Sequence, residues 1–151
     1  MTPQAMLIVG MVKKKVRNGG RKLAREMECD PSDVQIRLTL NKADDTPGDY
    51  EIRYDLYWKY QLIKQNIGFL RVIGKDPDLP DVMGYQDLAE PYIAQGMIIA
   101  AEEEEIDLKD LSAFLVNHKK EYFFTIYDGA ELKRHLTVKD IFESEYVKAA
   151  S

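Results

Sequence analysis

The stretch from Tyr50 to Ile63 (YEIRYDLYWKYQLI) constrains the fold of this chain more than any other. Every even position in it is apolar or aromatic, and the odd positions from Glu51 to Gln61 are polar except for Tyr57. Side chains of a β-strand alternate between the two faces of a sheet, so this period indicates a strand with one buried and one solvated face. The pattern predicts one long strand around which a sheet is built.

A second segment, residues 34–41 (VQIRLTLN), shows the same alternation of apolar and polar side chains. The intervening residues 42–49 (KADDTPGD) are rich in turn-forming residue types. We therefore predict an antiparallel hairpin with strands 34–41 and 50–63. Because the second strand is the longer one, its last part needs another neighbour, and we expect residues 67–73 (IGFLRVI) to provide it.

Charges select the register of this hairpin. The apolar faces of the two strands match only in every second register, because a slip of one residue turns one strand over. One matching register places Arg37 opposite Arg53, which is unfavourable, and the two neighbouring ones place Arg37 opposite Glu51 or Asp55. We predict one of the latter two pairings.

The aromatic residues Tyr54, Trp58 and Tyr60 lie on the apolar side of the predicted long strand. Amphipathic aromatic side chains suit a half-buried sheet, so we expect them to belong to the core. The alternative is a stacking platform for a ligand.

The second half of the sequence predicts helices and a further hairpin. Apolar residues recur at helical spacing through residues 81–119, with Pro91 in the first turn of one helix. An Asp-Gly turn signal joins predicted strands 122–127 and 130–136, and Thr137 is expected to cap a final helix. Together these elements predict an α+β fold in which helices pack on an antiparallel sheet.

Residues 1–29 are predicted to form a basic N-terminal segment, an arm or a helix, ahead of an α+β core domain at 30–151. The apolar residues near its start are contiguous, so their spacing does not separate helix from strand. The Asn-Gly-Gly sequence at 18–20 predicts a break, since glycine is unfavourable in helix interiors and Asn-Gly favours a turn. A short helix is expected to follow at 21–28.

Charge is distributed unevenly along the chain. The first 25 residues contain seven basic residues and no acidic one, although the whole chain has a formal net charge of −5. This asymmetry predicts an anionic partner for the segment, or a contact with the acidic body of its own chain or of another copy. The candidate residues for binding an anion or a partner are Lys13, Lys14, Lys15, Arg17, Arg21, Lys22 and Arg25.

The main acidic cluster lies at the end of a predicted helix. Four consecutive glutamates spread around a helix rather than converging, so they are typical of a solvated surface. The alternative is an acidic docking surface for a basic partner, formed by Glu102, Glu103, Glu104 and Glu105.

The sequence contains no motif for catalysis or for a cofactor. The single cysteine, Cys29, excludes an internal disulfide, and His118 and His135 are isolated from other candidate catalytic residues. We therefore predict no catalytic residue, no cofactor and no metal. A loose group of acids with one arginine leaves a metal-dependent nuclease or hydrolase as an alternative; its residues are Asp45, Asp49, Glu51 and Arg53.

Apolar runs in the sequence fall well short of the roughly 18 to 20 residues that cross a bilayer. The first basic cluster follows the first apolar run instead of preceding it, unlike a signal peptide. We therefore expect no membrane contact and an intracellular, cytoplasmic location, or a host cell or virion if the protein is viral.

The functional prediction is a non-enzymatic protein–protein interaction or assembly component. Such a protein would form homo- or hetero-oligomers, as a subunit of a larger complex or of a virion. The alternative is a nucleic-acid-associated accessory protein that binds phosphates through the basic N-terminal segment.

Overall fold

The structure of the chain is a computed structural model that describes residues 3–42, 50–68, 72 and 85–141. Within these residues, six strands form one antiparallel sheet with helices packed on it, so the predicted mixed α+β class is confirmed. In chain order the elements are α1 (Pro3–Glu26), a helical turn (Pro31–Asp33), β1 (Val34–Lys42), β2 (Tyr50–Trp58), β3 (Gln61–Ile67), α2 (Tyr85–Glu103), β4 (Leu111–His118), β5 (Glu121–Asp128) and β6 (Glu131–Thr137). A further helix begins at Val138.

The strand order, β3-β2-β1-β4-β5-β6, is symmetric about the central antiparallel pair of β1 and β4. Within the described residues, each half of the chain contains a long helix followed by three antiparallel strands. In both halves the first strand lies at the centre of the sheet and the third at its edge. The topology is therefore duplicated although the sequence shows no internal repeat.

The helices pack on one face of the sheet, which we call the covered face. The hydroxyl of Tyr54 on β2 donates a hydrogen bond of 2.8 Å to Glu90 on α2. On the other half of the same face, Gly20 of α1 packs against Tyr122 of β5. The core between sheet and helices includes Val16, Leu23, Ile36, Leu38, Tyr54, Ile93, Met97, Leu115, Phe124 and Ile126.

The predicted pairing of the first hairpin is confirmed. Arg37 on β1 lies opposite Asp55 on β2, which is one of the two registers that the charges favoured. The carboxylate of Asp55 also accepts a hydrogen bond of 3.1 Å from Nε of Arg53. Opposite charges across the strands thus accompany the match of the apolar faces.

The prediction of a single strand over 50–63 is wrong, because the chain reverses at Lys59 and Tyr60. Both residues have a left-handed backbone, with φ values of 47° and 61°. Left-handed conformations at both loop positions are typical of a type I′ turn, which usually contains Asn and Gly. The third strand of the sheet is therefore β3, at Gln61–Ile67; of the predicted range 67–73 only Ile67 belongs to it, and residues 69–71 and 73 lie outside the described residues.

Residues outside the turn hold this reversal in place. The backbone N–H of Lys59 donates to the carbonyl oxygen of Asp33, and the N–H of Tyr60 donates to Oε1 of Gln35, both at 2.8 Å. The Lys59 ammonium also lies 4.8 Å from the centre of the Trp58 ring. These tertiary contacts stabilise left-handed conformations that Lys and Tyr do not favour by themselves.

Helix α1 is continuous, so the predicted break at 18–20 and the separate helix at 21–28 are wrong. Gly20 lies against the ring of Tyr122, and a Cβ atom at Gly20 would stand 2.6 Å from Cζ of that ring. The preceding residue, Gly19, is buried. Gly20 thus allows the helix to approach β5 closely instead of forming a turn.

The basic N-terminal segment contributes to the core of the protein. Its buried apolar residues belong to the same cluster as those of the sheet; they are Val12, Val16, Leu23 and Ala24. The division of the chain into residues 1–29 and 30–151 stays a prediction.

The predicted helices at 81–119 are only partly confirmed, because the end of this range forms β4. Leu111, Ala113 and Leu115 are buried on the covered face, whereas Phe114 points to the opposite face. Leucine and phenylalanine at these positions fit helical spacing as well as alternation, which explains the wrong prediction. Helix α2 also continues through Pro91 instead of beginning there, and residues 81–84 lie outside the described residues.

The last hairpin and the last cap are confirmed. Strands β5 and β6 are joined at Gly129, whose φ of 58° suits glycine. The N–H of Asp140 donates to Oγ1 of Thr137, and the N–H of Thr137 donates to Oδ2 of Asp140, both at 3.0 Å. This reciprocal pair is a capping box at the start of the C-terminal helix. Of the helices in the described part of the chain, none has the length and apolarity needed to cross a membrane.

Candidate binding surfaces

The basic segment contributes to one groove, at the end of the sheet where β4 and β5 are joined. Lys13, Arg17 and Arg21 recur every four residues and therefore share one side of α1. They line two neighbouring depressions together with the hairpin residues Lys119 and Lys120 and with a lysine of the C-terminal helix. We define the basic groove by its cations, Lys13, Arg17, Arg21, Lys119, Lys120 and Lys139.

The two depressions form one continuous surface. Their volumes are about 280 Å³ and about 460 Å³, and Arg17, Lys120 and Tyr122 line both. The smaller one extends towards Lys139 and the larger one towards Pro31. The groove is therefore elongated across the end of the sheet and open to solvent.

Three of the seven predicted basic residues line this groove, and four do not. Lys14, Lys22 and Arg25 are exposed elsewhere on α1. Lys15 is only 1% exposed and interacts within the fold, so it is a structural residue. Sequence reasoning missed the other half of the groove because its lysines lie about a hundred residues further along the chain.

The six cations of the basic groove form no ion pair with a carboxylate in the described part of the chain. Glu121 and Asp30 are the acidic residues that line it. Asp30 accepts hydrogen bonds from the N–H and the hydroxyl of Ser32, at 2.9 Å and 2.7 Å, and these bonds lower the pKa of its carboxyl. Positive charge thus exceeds negative charge along the groove.

Tyr122 forms the floor of the basic groove. Its phenol oxygen is buried beneath α1, and within the described ranges no hydrogen-bond partner reaches it; Asn117 lies opposite in the ladder but without hydrogen-bond geometry. Burial raises the pKa of Tyr122, and the nearby guanidinium groups of Arg21 and Arg17 partly oppose that rise. The phenol is therefore neutral at physiological pH, and its role is to support the helix that carries the arginines.

An aromatic cluster lies on the face of the sheet opposite the covered face, which we call the open face. The Phe114 ring lies at its centre, with ring-centroid distances of 5.1 Å to Tyr57, 5.6 Å to Tyr60 and 5.5 Å to Tyr127. The interplanar angles are 78°, 63° and 74°, so the rings meet edge to face. This arrangement favours mutual packing over a flat platform for stacking a base.

The strongly exposed apolar side chains of the described residues are concentrated on the open face. Tyr60 is 56% exposed and contacts the Phe114 ring. Leu62 is 45% exposed and Leu132 is 47% exposed; each pairs with a residue of the aromatic cluster, on opposite edges of the sheet. The prediction that Tyr60 belongs to the core is therefore wrong, whereas the same prediction for Tyr54 is confirmed at 2% exposure.

The buried polar residues Asp55 and Thr125 of the open face are satisfied within the fold. The buried carboxylate of Asp55 accepts hydrogen bonds from Arg53 and from the N–H of Asn66, the latter at 2.8 Å. The buried hydroxyl of Thr125 donates to the carbonyl oxygen of Phe114 at 3.2 Å. These buried polar groups therefore need no partner, and the large apolar side chains that the open face exposes are Tyr60, Leu62 and Leu132.

The predicted acidic surface lies at the end of α2. Glu102 and Glu103 belong to the last turn of the helix, and Glu105 follows it with a left-handed φ of 56°. Glu103 forms an ion pair with Arg134 of β6. Strand β4 runs from this end of the sheet to the basic groove, so the two charged surfaces lie at opposite ends of its strands.

Residues suited to catalysis are not brought together in the described part of the chain. No group of three His, Cys, Asp or Glu side chains suitable for a metal ion occurs there. Burial, followed by the nearby Asp33 and Asp30, raises the pKa of the Cys29 thiol, which opposes formation of a nucleophilic thiolate. Of the loose acidic group, Asp45 and Asp49 lie outside the described residues.

Comparison of the chain with protein-family models, with curated proteins and with solved structures gives no match. Function must therefore be inferred from the two surfaces themselves. The open face is broad and exposes large apolar side chains, whereas the basic groove is narrow and positively charged.

Proposed function

We propose that this protein is a non-enzymatic assembly component that associates with a second copy of itself through the open face. One observation carries the proposal: of the four large hydrophobic side chains that are strongly exposed in the described residues, three lie on this face. They are Tyr60, Leu62 and Leu132, and they surround the aromatic cluster. Contiguous exposed apolar surface of this kind is typical of interaction sites.

The size of the open face supports a stable contact. Six strands about 4.8 Å apart and roughly eight residues long give a face about 24 Å by about 26 Å, or about 600 Å² in projection. Side chains make the accessible area larger than this projection. A stable interface buries about 800 Å² on each partner, so the face is large enough to supply one.

A second copy is a suitable occupant because the face complements itself. In a two-fold contact the same surface is used by both partners, so an apolar patch meets an apolar patch. On β1 and β2 the charged groups of this face are balanced, since the two arginines, Arg37 and Arg53, are matched by the two carboxylates, Glu51 and Asp55. Two copies therefore meet without strong repulsion.

The test is the native mass of the protein as a function of concentration, measured by light scattering or sedimentation. We expect a dimer that persists at high salt, because apolar contacts are not screened whereas ionic ones are. Leu62→Glu should raise the dissociation constant at least about 100-fold, because it forces a carboxylate into an apolar interface.

The matched control is Gln61→Glu. Gln61 is the exposed neighbour of Leu62 and pairs with Trp58, so its side chain lies on the other face of the strand. The substitution Gln61→Glu therefore adds the same charge as Leu62→Glu, but away from the open face. This control should remain dimeric. A wild-type protein that stays monomeric up to millimolar concentration would overturn the proposal, as would equal dissociation by both variants.

A further inference from the structure

We infer that the basic groove binds the sugar–phosphate backbone of nucleic acid. This surface lies at one end of the sheet strands and is distinct from the open face, so the inference does not depend on self-association. The groove joins three elements that are far apart in the sequence: α1, the hairpin between β4 and β5, and the start of the C-terminal helix.

Unpaired positive charge is the first observation. Six cations line the groove and none of them is neutralised by an ion pair in the described residues, while only Glu121 and Asp30 oppose them. Gathering like charges destabilises the folded protein through repulsion. An anionic ligand relieves that repulsion, and arginine and lysine are the side chains that bind phosphate most readily.

The shape of the groove favours a polymeric anion over a single one. Lys13, Arg17 and Arg21 are spaced by four residues, about 6 Å per step along the helix, so the row is about 12 Å long. Nucleotides of one strand in a duplex rise by about 3.4 Å each, so the row spans several successive phosphates. Lys119 and Lys120 line the other wall of the same groove.

The hairpin that carries these lysines has an unusual backbone. Lys119 and Lys120 have φ values of 51° and 69°, the left-handed conformations of a type I′ turn. Asn and Gly suit such a turn far better than lysine does, so both lysines are held in unfavourable conformations. The strained turn thus places two cations side by side in the groove.

The side chains of the groove are suited to contact the phosphates of a nucleic acid but not to recognise its bases. Tyr122 is its aromatic residue, and the phenol oxygen of Tyr122 is buried beneath α1. Contacts to phosphates position a nucleic acid without selecting its sequence. We therefore expect binding to duplexes of unrelated sequence with similar affinity.

The experiment is fluorescence anisotropy with the full chain and a short labelled DNA duplex, at several salt concentrations. If all six cations contact phosphates, the slope of log K against log salt is about −5, and affinity falls about 1,000-fold between 50 and 200 mM salt. Unlabelled inorganic polyphosphate serves as a second ligand that lacks the sugar and the bases.

The decisive variant is Lys119→Asn/Lys120→Gly. It removes two groove cations and supplies the preferred residues of the turn, so the protein should melt at a higher temperature while its salt slope falls by about 2. Loss of binding in this variant is then separate from loss of folding. The control is Lys22→Gln/Lys109→Gln, which removes two exposed cations outside the groove and should leave the slope unchanged.

Absence of duplex binding at the lowest salt would overturn the inference. An unchanged salt slope in Lys119→Asn/Lys120→Gly would do the same, because the groove would then not be the site. Tight binding of polyphosphate without binding of the duplex would assign the groove to a different anion. The inference is supported if the wild-type protein shows a steep slope of log K against log salt, and if Lys119→Asn/Lys120→Gly reduces this slope whereas Lys22→Gln/Lys109→Gln does not.

Discussion

Gly20 provides the sharpest test of how α1 packs on the sheet. A Cβ atom at this position would stand 2.6 Å from Cζ of Tyr122 and closer still to its hydroxyl oxygen. Ordinary contacts between carbon atoms lie at about 3.5 to 4.0 Å, so the overlap is about 1 Å or more. In Gly20→Ala the helix must retreat from β5, or the tyrosine must leave its buried position.

The net effect is the difference between two opposing terms. Replacing glycine by alanine within a helix is favourable by about 1 kcal/mol. Displacing a buried aromatic ring costs about 3 kcal/mol, the low end of what complete truncation costs. Gly20→Ala should therefore lower the free energy of unfolding by about 2 kcal/mol, which for a chain of this length corresponds to a Tm lower by about 4 to 8 °C.

The matched control lies ten residues earlier in the same helix. A Cβ atom at Gly10 meets no atom within 4 Å, and Gly10 is exposed, so Gly10→Ala should raise stability by about 1 kcal/mol. Urea unfolding followed by circular dichroism measures both variants. If Gly20→Ala is as stable as Gly10→Ala, the close packing of α1 on Tyr122 is refuted. In a protein that also carries Tyr122→Ala, the substitution Gly20→Ala should raise the free energy of unfolding instead of lowering it.

Three further predictions concern the covered face and its helices. In Gly96→Ala the new Cβ would stand 2.5 Å from the carbonyl oxygen of Ile141, so urea unfolding should show a loss of about 2 kcal/mol; unchanged stability would contradict this packing. Tyr54→Phe should cost about 1 kcal/mol at neutral pH through loss of the hydrogen bond to Glu90. Burial and Glu90 raise the pKa of Tyr54, so the stabilisation that the neutral hydroxyl gives to the folded protein is complete below about pH 10. Above that pH the free energy of unfolding declines by up to about 1.4 kcal/mol per pH unit. Urea unfolding measured at several alkaline pH values should show a shallower decline in the Phe variant. Thr137→Ala should cost about 1 kcal/mol by removing the cap of the C-terminal helix, which thermal melts can measure, and an equally stable variant would show that the cap is dispensable.

The parts of the fold that the sequence predicted are those with strong local signals. The pairing of Arg37 with Asp55 followed from alternation and charge, which act over neighbouring strands. The last hairpin followed from an Asp-Gly pair, since glycine readily takes the left-handed conformation at Gly129. In both cases the determining residues lie within or beside the strands that they organise.

The parts that it did not predict depend on distant contacts. The reversal at Lys59 and Tyr60 carries no glycine or asparagine, and hydrogen bonds that its N–H groups donate to Asp33 and Gln35 hold it instead. The glycines of α1 indicated a break because nothing local shows that Tyr122 lies against one of them. In β4 the position of Phe114 allowed a helical interpretation that only sheet pairing excludes.

The candidate surfaces follow the same rule. The basic residues of α1 were evident from the sequence, and three of them, Lys13, Arg17 and Arg21, line the groove. Their counterparts on the hairpin at 119–120 carry no signal of their own, since two lysines in a turn are ordinary surface residues in a sequence. The open face could not be seen from the sequence while Tyr60 and Leu62 were assigned to one strand with the core residues.

The placement of the two helices has a consequence for how this protein unfolds. Helix α1 precedes the first three strands but packs on Tyr122 of the second three, and α2 precedes the second three but bonds to Tyr54 of the first. The helix of each half thus covers core residues on the strands of the other half. Neither half would have a complete hydrophobic core if it were separated from the other. Loss of either helix exposes the strands of the opposite half. We therefore expect the protein to unfold in a single cooperative transition and not one half after the other.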